Sequence, residues 1–119
     1  MVIGTCRLVL SLPGNDSLKG KRRVIRRIVD RLRHRFNVAV AEVGDLDAHR
    51  SAVLGLAVVS NDARHANSMI DTLVSAVAGA SEALVVDRRM EIVDMGEGEH
   101  LASHEGPFEG GWSDEDPLE

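Results

Sequence analysis

Twice within residues 1–95 the hydrophobic period switches from two to 3.6 and back. Few folds accommodate that order. VIGTCRLVLSL, residues 2–12, alternates, with Val2, Cys6, Leu8, Leu10 and Leu12 on one face and Thr5, Arg7 and Ser11 on the other. This is the pattern of a strand with one core face. PGND, residues 13–16, is turn chemistry, because Pro fixes φ and Gly admits positive φ. Ser17 or Asp16 is placed to cap a helix over about 18–35. At 100° per residue, Leu18, Val24, Ile25, Ile28, Val29, Leu32 and Phe36 fall within an arc of about 140°, and Lys19, Arg22, Arg23, Arg26, Arg27, Arg33 and His34 take the other side. NVAVAEVGD, residues 37–45, reads as a second strand with Val38 and Val40 on one face, and DLDAHRS, residues 45–51, as a polar connection. AVLGLAVVSN, residues 52–61, is nearly continuous in apolar residues, as a central strand requires. Asn61 or Asp62 caps a second helix to about residue 78, with Ala66, Met69, Ile70, Leu73, Val74 and Val77 as its core stripe and Gly79 as its end. ALVVDRRMEIVDM, residues 83–95, is the last strand.

The order strand, helix, strand, strand, helix, strand is two split β-α-β units. It predicts an α+β ferredoxin-like sandwich, βαββαβ, in which a four-stranded antiparallel sheet carries both helices on one face. The other sheet face is left open, with Ile3, Val9, Val85 and Val93 expected among its polar residues. A second copy could cover it, so a homodimer is one expectation. From Gly96 onward the sequence is rich in Gly, Pro and acids without periodicity. The expected organisation is therefore a domain over residues 1–95 and an acidic Gly/Pro-rich disordered tail over 96–119.

Charge is distributed against the average. The chain carries −5 in total, yet residues 97–119 hold eight acids and no Lys or Arg, so residues 1–96 carry +3. Nine of the fourteen Lys and Arg lie within SLKGKRRVIRRIVDRLRHRF, residues 17–36, against Asp30 alone. Such asymmetry points to a polyanionic partner or an acidic arm. With one cysteine, Cys6, the chain has no internal disulfide and no Cys-rich metal site. No apolar run approaches the roughly 18 residues of a membrane span, and the N-terminal strand pattern, interrupted by Arg7, is not a signal peptide. A cytoplasmic location is the resulting expectation.

Several stretches together resemble a known family. Ser17-Leu18-Lys19-Gly20-Lys21-Arg22-Arg23, the segment Arg35-Phe36-Asn37-Val38-Ala39-Val40-Ala41-Glu42-Val43-Gly44, and AVVSNDARHA at 57–66 resemble the small bacterial YlxP-like family over roughly residues 1–95. This chain departs from the family pattern at Gly20, where a charged helix former is expected, and at Asp47-Ala48-His49, where aromatics are expected. The resemblance implies a ferredoxin-like fold. It also implies a role linked to RNA or the ribosome, since genes of the family tend to lie beside those of translation and ribosome-maturation factors. It brings no catalytic residues.

The basic helix is the leading candidate site. Arg22 with Arg26 and Arg23 with Arg27 are like charges at i,i+4, which repel by a few tenths of a kcal/mol each; a solubilising surface mixes signs instead. Arg outnumbers Lys, which suits bidentate phosphate contacts. Lys19, Lys21, Arg22, Arg23, Arg26, Arg27, Arg33 and Arg35 are the expected phosphate contacts of a non-catalytic RNA-binding protein, associated with ribosomal RNA or a ribosomal subunit. The strands carry no aromatic residues for base stacking, so shape and backbone are what such a protein would read. The alternative is a homodimeric module whose basic helix docks an acidic protein. No nucleophile–base pair and no phosphate-cradling Gly loop marks an enzyme. His49, His65, His100 and His104 match no metal-ligand spacing, so neither cofactor nor metal is expected. Cys6 is expected to be an inert core thiol, Asp45 and Asp47 to be turn residues, and Glu42 to pair with the first helix or lie on the open face. The tail, with Phe108 and Trp112, is a solubilising arm, a docking segment, or a competitor for the basic helix.

Overall fold

The alternating segments pair as their periods dictate. The computed structural model describes residues 1–80 and 82–96, in the order β1 (Val2–Ser11), α1 (Leu18–Arg35), β2 (Ala39–Gly44), β3 (Ser51–Ser60), α2 (Ala63–Ala78) and β4 (Leu84–Asp94). The expectations placed on residues 97–119 lie outside the described residues. The strands form one antiparallel sheet in the order β2-β3-β1-β4, the ferredoxin-like α+β arrangement. The two most apolar strands, β1 and β3, are central, where both edges are hydrogen-bonded. β2 and β4 are the edges.

Local chemistry starts each element where the chain offers a cap. Ser17 accepts the Gly20 amide at 3.0 Å and opens α1; Asp62 accepts the His65 amide at 3.2 Å and opens α2. Gly14 takes φ 84° in the turn between β1 and α1, a value that disfavours any residue with a Cβ. Gly79 does end α2, but at φ −77°, so the left-handed cap that glycine often supplies is not used.

Both helices lie on one face of the sheet and share its core. Leu8, Leu10, Leu54, Leu56 and Val58 from the central strands meet Ile25, Ile28 and Leu32 of α1 and Ala66, Ile70, Leu73 and Val77 of α2. Gly4 sets how closely α2 approaches β1. A Cβ there would lie 3.2 Å from Val58 Cγ2, 3.3 Å from Ile70 Cγ1 and 3.4 Å from the Ala66 Cβ. Gly4→Val is therefore expected to overpack the junction and lower stability by about 1–3 kcal/mol in urea unfolding. An unchanged midpoint would show that the close approach is not required.

One expectation about the open face is corrected. Val85 stands opposite Leu10, a core residue, and packs against the core. The β1–β4 register shifts between Val9 and Leu10, so the strand bulges at this point. The extra residue, Val86, turns Val85 inward and puts Leu84 on the face that simple alternation assigns to Val85.

Candidate functional site

The two sides of α1 separate the fold from the candidate site. Its apolar side enters the core, and Lys19, Arg22, Arg23, Arg26, Arg27, Arg31, Arg33, His34 and Arg35 are exposed. Lys19, Arg22, Arg23, Arg26 and Arg27 flank a shallow groove of about 420 Å³ together with Asp30, the helix's one acid. Arg22, Arg26 and Arg33 also line a second groove, between α1 and the free edge of β2 at Val40–Glu42. The basic surface thus runs from the crest of α1 down to the edge of the sheet.

The expected contacts do not all share this surface. Lys19, Arg22, Arg23 and Arg26 make no ion pair among the described residues. Arg27 donates from Nη1 to both carboxylate oxygens of Glu82, at 2.8 and 2.9 Å, so its charge is partly answered within the chain. Arg33 donates to the Val40 carbonyl at 2.9 Å and fastens the end of α1 to β2. Arg35 lies over the Phe36 ring, 5.1 Å from its centroid.

Lys21 is removed from the set of phosphate contacts. Its side chain is 1% exposed, and its ammonium is enclosed by oxygens. Nζ donates to the carbonyls of Asp45 at 2.6 Å, Ser51 at 3.2 Å and Leu46 at 3.4 Å. Glu42 Oε2 is 3.0 Å away but out of line for a hydrogen bond, so its contribution is Coulombic. Position dictates this role. Lys21, Ile25, Ile28 and Leu32 follow one another at i, i+4, i+7 and i+11, the stripe that faces the sheet. Glu42 pairs with Leu54 on the core face of the β2–β3 ladder, directly below. Asp45, at φ 55°, turns the chain so that its carbonyl meets the ammonium while its carboxylate accepts from Ser51 Oγ at 2.6 Å.

The same corner accounts for Gly20. Asn15 donates from Nδ2 to the Ser17 carbonyl at 2.8 Å and the His49 carbonyl at 2.6 Å, and Arg50 Nε donates to the Asn15 carbonyl at 3.0 Å. These bonds hold the Asn15 side chain where a Cβ on Gly20 would collide with Oδ1. A glycine in the first helical turn makes room for the lock between the two loops.

The other candidates are structural. Cys6 is buried on the core face of β1, and burial pushes its thiol pKa up from the usual value, the opposite of an activated nucleophile. Below the ordinary thiol pKa the buried neutral form costs nothing. As pH rises past that value, the unfolded thiol ionises first and this contribution to stability declines. Asp45 and Asp47 sit in the β2–β3 turn. Among the described residues no three His, Cys, Asp or Glu side chains converge as a metal site. None of the described helices is long and apolar enough to cross a membrane.

A family model described as "Protein of unknown function (DUF503)" matches residues 3–90, from β1 into β4. The chain belongs to this family. It is also 42% identical over 45 residues to the "Uncharacterized protein YlxP" of Bacillus subtilis (strain 168), a match covering 38% of this chain and 49% of that relative. The YlxP-like kinship expected from the sequence is thereby established. The family's description assigns no activity.

Proposed function

We propose that this protein binds structured RNA through its phosphate backbone, along the exposed side of α1, without catalysing a reaction. One observation carries the reading. Lys19, Arg22, Arg23 and Arg26 crowd the first half of one helix surface and find no acid partner among the described residues. Side-by-side cations on a helix raise its energy unless something anionic offsets them. A phosphate backbone supplies anions at repeated short intervals, and guanidinium groups meet it with paired hydrogen bonds. No aromatic side chain lies on the four strands, so base stacking is not offered and recognition rests on backbone and shape.

Ribosomal RNA is the polyanion the reading favours, in line with the setting that the family resemblance implies. The test is sedimentation of the full chain with ribosomal subunits, alongside filter binding to ribosomal RNA across a salt series. Co-sedimentation at low salt and release at high salt are expected, with log affinity falling linearly against log salt. Binding that ignores salt, or none at low salt, would reject the reading.

A further inference from the structure

The open face of the sheet, independently of any RNA contact, points to a second copy of this chain. Cross-strand register places Ile3, Val59 and Val93 side by side at one end of that face and Leu84 beside Ser11 at the other. Val59 is 63% exposed, and Leu84 and Val93 are exposed with it. Between these ends Arg7 and Arg89 are direct cross-strand partners, with Gly55 on the other side of Arg7 and Ala41 beyond it. The small residues leave a shallow depression of about 600 Å³ beside the two arginines. Neither arginine has an ion-pair partner among the described residues, and like charges directly opposite each other destabilise a sheet. Glu91 and Asp87, also exposed, occupy the neighbouring rows of the same face, paired with Thr5 and Val9.

We infer that two copies pack open face to open face, with Arg7 and Arg89 of each meeting Asp87 and Glu91 of the other. Two cations and two anions in adjacent rows make the face complementary to itself, the condition a two-fold interface must meet. Area agrees. At roughly 16 Å² of sheet per strand residue, the four strands present roughly 600 Å², so a face-to-face pair buries roughly 1,200 Å² in total, the low end for a stable interface. The arrangement covers the apolar ends and leaves both α1 helices on the outside, their basic sides pointing away from each other.

The experiment is light scattering on the full chain at about 100 µM, a concentration that populates even a weak dimer. Twice the 12.9 kDa chain mass is expected. Arg89→Glu should give the single-chain mass with an unchanged far-UV circular dichroism spectrum, and Arg89→Glu with Glu91→Arg should restore the doubled mass. A wild-type chain at 12.9 kDa overturns the inference, as does an Arg89→Glu variant that stays dimeric. So does a wild-type monomer that dimerises only after removal of residues 97–119, since the tail would then be the occupant of the face.

Discussion

Replacing Lys21 with Met is expected to cost about 3–5 kcal/mol of stability, the range for breaking a buried charge contact from one side. The side chain is 1% exposed and serves three carbonyls and one carboxylate at once. Methionine matches its length and apolar stem but brings no donor. The Asp45, Leu46 and Ser51 carbonyls then lose the ammonium, and Glu42 keeps a half-buried charge without its counter-ion. For a domain of this size the loss corresponds to a fall in Tm of at least about 12 °C. Lys21→Met with Glu42→Leu should recover part of it, because removing both charges from an apolar corner is far less costly than removing one. Urea unfolding of the two variants decides the matter. A Lys21→Met protein as stable as the parent would mean that the ammonium contributes nothing net. Arginine is no substitute, since its planar fork does not fit a cage built around a compact ammonium.

Lys21 also shows where the sequence was legible and where it was not. The helix, its limits and its two faces follow from spacing alone, because burial of one side imposes a 3.6-residue period on any such segment. On the same wheel Lys21 falls between Ile25 and Ile28, in the middle of the apolar arc. That position was the available signal for a buried lysine, and membership in a basic run obscured it. A cation on the core stripe requires an anion on the facing strand, and Glu42, between Ala41 and Val43 in the neighbouring strand, is the one to look for. Its cage was not legible. Three of its four oxygens are backbone carbonyls, placed by the turn at Asp45 and by Ser51, and any residue has a carbonyl to offer.

Simple alternation misplaces Val85 for a related reason. Alternation predicts a face only while the register is unbroken, and the bulge opposite Val9 and Leu10 is marked by no glycine or proline in LVVDRRMEIVD. The β2–β3 ladder slips likewise between Glu42 and Gly44, where Val43 folds over Gly55. At the candidate site, the charges were plain in the sequence, whereas their partners were not. Glu82 lies 55 residues from Arg27, and only the packing of α1 beside the α2–β4 connection brings them together.

Changing Lys19, Arg22, Arg23 and Arg26 together to Gln is expected to weaken RNA binding by two to three orders of magnitude at low salt, and to flatten the slope of log affinity against log salt by about 3–4. These four side chains are exposed and unpaired among the described residues, so their removal should leave unfolding unchanged or slightly improved through relief of i,i+4 repulsion. Arg27→Gln alone should move the slope by less than one, because Glu82 already answers part of that charge. Lys21→Met supplies the opposite control: reduced stability, with the slope unchanged as long as the protein is folded. Filter binding over a salt series, alongside urea unfolding of each variant, separates the two effects. A quadruple variant that binds with the parent's slope would move the interface off α1. The same slope change from Lys21→Met would show that its ammonium leaves the cage to meet phosphate.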